Sequence, residues 1–254
     1  MRSEKVDFRS FDETELRGEL FIPQVGSKPY PAVCLCHGIP VSPRQPGDRG
    51  YAELAELFCE NGIAALTFNF RGTGESEGDF DLLAWPADLE AAIDYLYNHT
   101  LLDKERLGVA GFSGGALAAL YVASRDPRVR ALALCSMPGD TSRISLSALQ
   151  ETIKLARASG SLRGIDAPGT AEKLKKDFDL LNPKRIIKQV SPRPLLILHG
   201  SADELIDPKE AEEIFAEAPE PKQLIIVEGA PHKIRLHREA MEKLVSWFKT
   251  LWLK

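Results

Sequence analysis

Residues 106–125 read RLGVAGFSGGALAALYVASR, and the rest of the chain is arranged around this stretch. The apolar run 107–110 predicts a buried strand, and the run 114–123 predicts a helix. Between them, GFSGG at 111–115 matches the pattern G-x-S-x-G. So short a turn from strand to helix forces its central residue, Ser113, into strained backbone angles, and side chains two positions to either side would collide. Glycine at both positions removes the collision and leaves the Ser113 hydroxyl exposed at the end of the strand.

The same five residues are also compatible with an ordinary glycine-rich turn, so a reactive Ser113 requires a base elsewhere in the chain. A serine hydroxyl is a weak nucleophile at neutral pH unless a neighbouring group takes its proton. Of the five histidines, His232 is the best placed, because it follows the last predicted strand in a short loop. The remaining histidines are predicted to brace turns or to lie on helix surfaces: His37, His199, His99 and His237.

Buried strands alternate with helices on both sides of this stretch. Continuous apolar runs predict further strands at 32–36, 63–68, 129–136, 194–199 and 223–227. Strands that are apolar throughout are typical of a parallel sheet with helices on both faces, and two more strands at 4–9 and 15–22 predict an antiparallel hairpin at its edge. The fold class is therefore α/β, with a mostly parallel central sheet. Functional sites in such sheets lie at the carboxyl ends of the strands.

The alternation stops between residues 139 and 189, where two amphipathic helices replace it. Their apolar stripes are Leu146, Leu149, Ile153 and Ala156 on one helix and Ala171, Leu174, Phe178 and Leu181 on the other. We therefore expect an α/β core of residues 1–138 and 190–254, and a helical cap of residues 139–189 over Ser113. Leu149 and Ile153 are candidates for the substrate pocket, although packing inside the cap explains their apolar character equally well.

A histidine that acts as a base needs a carboxylate to hold its ring in the right tautomer. Asp203 lies four residues beyond the strand 194–199, where a side chain can reach the next loop. Glu204 is a weaker candidate. Asp207 directly precedes Pro208 and has the position of a helix cap. The candidate groups thus occur in the order serine, aspartate, histidine, which is the order of one known class of hydrolases.

Five motifs occur in a fixed order between residues 36 and 233: HGIP, FNFRGTGESEG, GFSGG, GSADELIDP and GAPH. On these motifs the chain resembles the α/β-hydrolase superfamily, and within it the small serine esterase and acylaminoacyl-peptidase-like (feruloyl-esterase-like) branch. The resemblance implies a catalytic triad of Ser113, Asp203 and His232. It also implies an oxyanion hole formed by the backbone N–H groups of Ile39 and Gly114. No run of glycines follows His37-Gly38, unlike in the lipase-like enzymes that act on bulky tertiary-alcohol esters.

The expected function is that of a serine carboxylesterase, which hydrolyses esters of small to medium acyl or aryl groups through an acyl-enzyme. The alternatives are an acyl-peptidase or amidase, and a binding protein of the same fold without catalysis. Phe112 and Met137, beside the glycine-rich turn and at the next strand end, are candidate pocket walls, and core packing is an equally good account of both. A structural role is expected for Arg71 and Ser76, because no phosphate-binding lysine follows their glycine-rich turn.

Composition limits the partners. A chain of 254 residues suits one large domain, and its net charge of −5 without a basic stripe excludes a nucleic-acid partner. No apolar run approaches the ~20 residues of a membrane span, and the start of the chain does not resemble a signal peptide, so a cytoplasmic protein is expected.

Four cysteines without metal-ligand spacing predict free thiols in the core and no metal site: Cys34, Cys36, Cys59 and Cys135. The chemistry expected needs a small-molecule ester substrate and no cofactor, and the sequence carries no signal for an oligomeric state.

Overall fold

An eight-stranded, mostly parallel sheet forms the centre of the chain. The computed structural model describes residues 1–41 and 47–253. Its strands are β1 (Arg2–Arg9), β2 (Glu15–Ile22), β3 (Tyr30–Cys36), β4 (Ala64–Phe68), β5 (Leu102–Phe112), β6 (Ala131–Cys135), β7 (Leu195–Gly200) and β8 (Lys222–Val227). They lie in the order β1-β2-β4-β3-β5-β6-β7-β8. The β1–β2 and β2–β4 pairs are antiparallel, and all later pairs are parallel.

Helices cover both faces of this sheet. Those of the core are α1 (Ala52–Glu60), α2 (Trp85–Asn98), α3 (Gly114–Ala123), α7 (Pro208–Glu217) and α8 (Arg238–Trp252). Helices α1 and α8 pack in one apolar cluster, whereas α2, α3 and α7 pack in a second cluster on the opposite face. Strands β3 and β6 are buried along their whole length, which is why their sequences are apolar without alternation. The predicted α/β architecture and the edge hairpin are confirmed.

The starts of α8 and β5 differ from the sequence prediction by several residues. The sequence from 233 to 253 predicts one closing helix, but Ile234–Leu236 form a 3₁₀ turn and α8 begins only at Arg238. The helix cannot begin earlier because the chain must first leave the loop after β8. At the start of the 3₁₀ turn, the N–H of Ile234 donates to the carbonyl of His232 at 2.7 Å. Strand β5 begins at Leu102, five residues before its apolar run. The apolar pattern did not reveal this first half because its residues are polar and partly exposed.

The segment between β6 and β7 holds the inserted helices α4 (Leu146–Ser159), α5 (Thr170–Leu180) and α6 (Pro183–Ile186). Helices α4 and α5 pack on each other, and the predicted stripes are buried with one exception. Leu146, in the first turn of α4, is 38% exposed, so the expectation that it belongs to the stripe was wrong. It is the first residue of α4, whereas Leu149 and Ile153 lie further along the helix and are buried.

Hydrogen bonds tie this insertion to the loops that follow β3 and β4. The backbone N–H of Arg163 donates to the carbonyl of Gly72 at 2.9 Å, and the Arg163 carbonyl accepts from the N–H of Phe80 at 2.9 Å. The hydroxyl of Ser161 donates to the carbonyl of Pro40 at 2.7 Å. Since both loops lie at the carboxyl ends of parallel strands, the insertion contacts the edge of the sheet where Ser113 lies.

Arg71 forms a buried ion pair that organises the loop after β4. Its guanidinium contacts Asp88 at 2.7 Å and Asp12 at 2.7 Å, and the Asp88 side chain is fully buried. Burial would lower the pKa of Arg71, but the hydrogen bonds to Asp88 and Asp12 raise it overall. Ser76 donates to the carbonyl of Asn69 in the same loop. The structure thus gives Arg71 and Ser76 the structural role expected from the sequence.

Replacing Arg71 by methionine should destabilise the protein strongly, because Asp88 would remain as a buried charge without its partner. Loss of one member of such a pair costs about 3–5 kcal/mol. Arg2→Met is the matched control, since it removes an exposed pair with Glu4 and exposed pairs contribute about 0–1 kcal/mol. Urea denaturation measures both free energies of unfolding, and equal values for the two variants would contradict a stabilising role of the buried pair.

Candidate active site

Ser113 occupies the tight turn between β5 and α3 and has φ 50° and ψ −123°. A residue other than glycine at such angles carries strain of about 1–3 kcal/mol, which the surrounding packing must hold in place. A methyl group on Gly111 would lie 2.5 Å from the Cα of Ala116, and one on Gly115 would lie 2.1 Å from the carbonyl oxygen of His37. The steric reason proposed for the two flanking glycines is therefore confirmed.

Ser113, His232 and Asp203 meet at the carboxyl edge of the sheet. The Ser113 Oγ and the His232 Nε2 are 3.0 Å apart. The His232 Nδ1 lies 3.0 and 2.9 Å from the two carboxylate oxygens of Asp203. Because a carboxylate only accepts, Nδ1 carries the ring proton and Nε2 is free to accept the hydroxyl proton of Ser113. Three residues predicted from separate strand ends are thus joined in one line of hydrogen bonds.

The Asp203 carboxylate is completely buried and surrounded by donors. Its Oδ1 accepts from the backbone N–H groups of Leu205 and Ile206, each at 2.9 Å. Its Oδ2 lies 3.1 Å from the Nε2 of His199. Burial alone would raise the pKa of Asp203, but the hydrogen bonds from His199, His232 and the Ile206 N–H outweigh it and hold that pKa well below its usual range. Asp203 is therefore an anion fixed in one orientation.

The two neighbouring acids have other partners. Glu204, the weaker candidate, accepts the backbone N–H of His232 at 3.0 Å and so holds the main chain of the loop. Asp207 accepts the N–H of Lys209 at 2.9 Å and caps α7, as its position before Pro208 indicated. Of the three acids in this loop, Asp203 is the one whose carboxylate accepts from the imidazole ring of His232.

The backbone of Ile39 and Gly114 lies directly beside Ser113. A methyl group on Gly38 would lie 3.6 Å from the Ser113 Oγ, and one on Gly114 would lie 3.5 Å from the Ile39 nitrogen. Among the described residues, neither the N–H of Ile39 nor that of Gly114 donates to a partner. Two backbone donors without a partner among the described residues therefore lie near the serine, and one of them is the first N–H of α3, where the helix dipole is positive.

His37 controls the orientation of the peptide that carries the Ile39 N–H. The N–H of Phe70 donates to the Nε2 of His37 at 3.1 Å, so the ring proton is on Nδ1. Nδ1 then donates to the carbonyl of Gly38 at 2.7 Å. The Gly38 carbonyl and the Ile39 N–H belong to one planar trans peptide and point in opposite directions. The loop-bracing role expected of His37 therefore also directs this N–H.

The four candidate pocket residues are divided between two apolar clusters. Phe112 belongs to the cluster that contains α1 and α8, and its ring packs against Tyr51 with 5.0 Å between centroids. Met137, Leu149 and Ile153 belong to the cluster on the opposite face, and each is at most 5% exposed. The last three therefore lie on the same face of the sheet, and Phe112 lies on the other.

The contact between His199 and Asp203 was not predicted from the sequence. His199 was expected only to brace its turn, and it does lie 3.2 Å from the carbonyl of Ile206, but it also contacts the carboxylate. The four-residue spacing of His199 and Asp203 around a tight turn was the available signal. His99 and His237 lie at the ends of helices and are half-buried, whereas surface positions within helices were expected.

No group of three or more histidine, cysteine, aspartate or glutamate side chains within residues 1–41 and 47–253 is arranged to hold a metal ion. In the same part of the chain, no helix has both the length and the apolar character needed to cross a bilayer. The four cysteines are buried and free, as predicted.

Comparison with known proteins identifies relatives over almost the whole chain. Residues 51–253 match the profile of the prolyl oligopeptidase family. The uncharacterized protein YfhR of Salmonella typhi is 30% identical over 251 residues, which cover 96% of this chain and 82% of YfhR.

Two solved structures share the fold. The α/β hydrolase GrgF from Penicillium sp. sh18 has a TM-score of 0.74 at 20% identity, with 98% of this chain and 99% of that chain covered. The esterase Pf2001 of Pyrococcus furiosus has a TM-score of 0.73 at 21% identity, with 100% of this chain and 94% of that chain covered. The sheet described above is therefore that of an α/β hydrolase.

The turn at Ser113 leads to a prediction about its glycines. Gly115→Ala should lower the free energy of unfolding by about 1–3 kcal/mol, because the new methyl group meets the main-chain oxygen of His37, which cannot move alone. Gly114→Ala is the matched control in the same helix turn, since its methyl group meets the side chain of Ile39 at 2.8 Å. Urea denaturation compares the two variants, and a Gly114 variant that loses as much stability as the Gly115 variant would show that the main-chain contact is unimportant.

Proposed function

The chain belongs to the prolyl oligopeptidase family of α/β hydrolases, and we propose that it is a serine carboxylesterase acting on esters of small to medium acyl or aryl groups. The observation that carries the proposal is the line of hydrogen bonds from Asp203 through His232 to Ser113, beside two unused backbone donors. The name of the Pyrococcus furiosus neighbour, an esterase, agrees with this activity.

In the first half of the reaction, the Ser113 Oγ attacks the carbonyl carbon of the ester while the His232 Nε2 takes the hydroxyl proton. Asp203 holds the ring in the tautomer that leaves Nε2 unprotonated and stabilises the imidazolium that forms. The tetrahedral intermediate collapses when the bond to the alcohol breaks, and His232 returns its proton to the leaving oxygen. Ser113 is then an acyl ester.

In the second half, water takes the place of the alcohol. His232 removes a proton from the water as it attacks the acyl carbon, and then returns that proton to the Ser113 Oγ as the acid leaves. The same two groups therefore serve both half-reactions, with the base regenerated after each.

The negative charge of each tetrahedral intermediate falls on the former carbonyl oxygen. We assign its stabilisation to the N–H groups of Ile39 and Gly114, which stand beside Ser113 with no other partner among the described residues. Such donors are already oriented before charge develops, which is why removing one from an oxyanion hole typically slows turnover by about 10²–10³-fold. The Gly114 donor is also supported by the positive end of α3.

The substrate approaches from the side of the insertion. We assign residues 139–189 as a cap, because Ser161 and Arg163 tie this segment to the loops beside Ser113. We assign Met137, Leu149 and Ile153 to the acyl pocket, because all three belong to the apolar cluster on the face that includes α4 and α5. Phe112 packs on Tyr51 instead, so we assign it to the core.

The decisive experiment is a panel of aryl and alkyl esters of increasing acyl length, run beside an amide with a matched acyl group. We expect ester turnover by the wild-type protein and none above the residual level in Ser113→Ala. Loss of the serine of a triad leaves about 10³–10⁴-fold acceleration over water at most. Unchanged melting temperature of the variant serves as the control for folding. Undiminished ester turnover by Ser113→Ala would refute the proposal, and faster turnover of the amide than of the ester would identify an amidase.

The identity of the acid is tested by a pair of neighbouring substitutions. Asp203→Asn should lower kcat by up to about 10⁴-fold, because an amide at this position favours the wrong tautomer of His232. Asp207→Asn should leave kcat close to that of the wild type and lower stability by at most about 1 kcal/mol, since it alters only the cap of α7. Steady-state kinetics with one aryl ester measures both variants, and a larger kcat loss in Asp207→Asn would mean that the acid is assigned to the wrong residue.

A further inference from the structure

A second histidine contacts the carboxylate of Asp203. His199 is the penultimate residue of β7, its side chain is completely buried, and its Nε2 lies 3.1 Å from the Asp203 Oδ2. The same Oδ2 lies 2.9 Å from the Nδ1 of His232. One carboxylate oxygen is therefore shared by two imidazole rings, of which one faces Ser113 and the other faces the interior.

The surroundings of His199 determine its protonation. The Nε2 atom faces the Asp203 carboxylate and the carbonyl of Ile206 at 3.2 Å, and both groups only accept hydrogen bonds. Nε2 must therefore carry a proton. The opposite nitrogen, Nδ1, is buried and has no hydrogen-bond partner among the described residues. A proton on Nδ1 would be a buried donor without an acceptor, so the ring is the neutral tautomer with its single N–H directed at Asp203.

We propose that His199 is a positioning residue that acts through Asp203: its N–H holds the carboxylate in the plane needed by His232 and reduces the pull of that carboxylate on the His232 proton. This inference rests on the proposed function. A carboxylate oxygen that accepts from two rings has less electron density to offer to each. His199 therefore acts on the strength of the hydrogen bond between Asp203 and His232 as well as on its geometry.

The other charged groups at this site do not duplicate that role. Glu204 accepts the backbone N–H of His232 and so acts on the main chain of that residue rather than on a ring nitrogen. The remaining donors to Asp203 are the N–H groups of Leu205 and Ile206, which contact Oδ1 rather than Oδ2. His199 is accordingly the one side chain besides His232, among the described residues, that donates to this carboxylate.

Three substitutions distinguish the effect of the hydrogen-bond donor of His199 from the effect of its side-chain volume. In His199→Gln the side-chain amide nitrogen reaches about the position of Nε2, so a donor to Asp203 is kept. In His199→Asn the amide reaches only about the position of Nδ1, and in His199→Leu there is no donor. The rate at which an alkyl fluorophosphonate labels Ser113 is measured from pH 5 to 9 by intact-mass spectrometry. In that reaction the Ser113 Oγ forms a bond to phosphorus and fluoride leaves, so no ester substrate is needed.

We expect His199→Leu and His199→Asn to react about tenfold more slowly than the wild type at the plateau, with the acidic limb displaced to higher pH. His199→Gln should keep the plateau labelling rate within twofold of the wild type. Its acidic limb should lie within a few tenths of a pH unit of that of the wild type. Thermal unfolding establishes that each variant is folded, and if His199→Leu is not, His199→Asn replaces it. A role limited to filling space would slow or destabilise the variants without moving the limb.

The outcomes distinguish the two proposals. Absence of labelling in the wild type, or labelling that survives in Ser113→Ala, would refute the proposed function. Normal labelling of the wild type with the same acidic limb in the Gln, Asn and Leu variants would overturn the role of His199 and leave the proposed function standing. A displaced limb in His199→Gln equal to that in His199→Asn would also overturn it, because a donor would then make no difference.

Discussion

The buried charge of Asp203 is the constraint on which the arrangement of this site depends. An ionised carboxylate without contact with water is stable in a protein only if its oxygens are hydrogen-bonded. Here the donors come from the end of β7, from the following turn and from the loop after β8. The same contacts that keep the anion stable therefore bind these two loops to each other, and His232 is held where its second nitrogen meets Ser113.

On the opposite side of the site, the arrangement depends on how closely two main-chain segments can pack. The main chain of α3 and that of the loop after β3 approach so closely that glycine is needed at position 115. This approach brings Ile39 to the first turn of α3, and His37 then turns the peptide so that its N–H faces away from the Gly38 carbonyl. The hydrogen bonds to the buried Asp203 act on one side of Ser113, and the close main-chain packing at Gly115 acts on the other. Together they define the space around the Ser113 hydroxyl.

Much of this could be predicted from the sequence because the relevant information is local. Glycines around Ser113, apolar runs for buried strands and a histidine after the last strand each have a direct structural meaning, and parallel strands bring their carboxyl ends together. Contacts between distant segments were not predictable in the same way. The pairing of Ser161 with Pro40 depends on no pattern in the neighbouring sequence, since it arises from how two loops meet in space. The contact of His199 with Asp203 spans only four residues, but that spacing does not by itself show that the turn directs both side chains to the same point. Leu146 fitted the helical period but lies where no partner covers it.

The distance along the chain between the members of the site has a consequence for biosynthesis. Ser113 and His232 are separated by 119 residues, and β7 and β8 occupy the last quarter of the chain. Chains are synthesised from the amino terminus, and segments that have emerged begin to fold before the remainder is complete. A nascent chain that has formed the turn at Ser113 still lacks both His232 and Asp203, so its hydroxyl is no more reactive than that of any serine. Under the proposed function, the timing of translation keeps Ser113 unreactive until the final strands have joined the sheet. Recovery of reactivity after dilution from denaturant would then report this last step of assembly rather than the first.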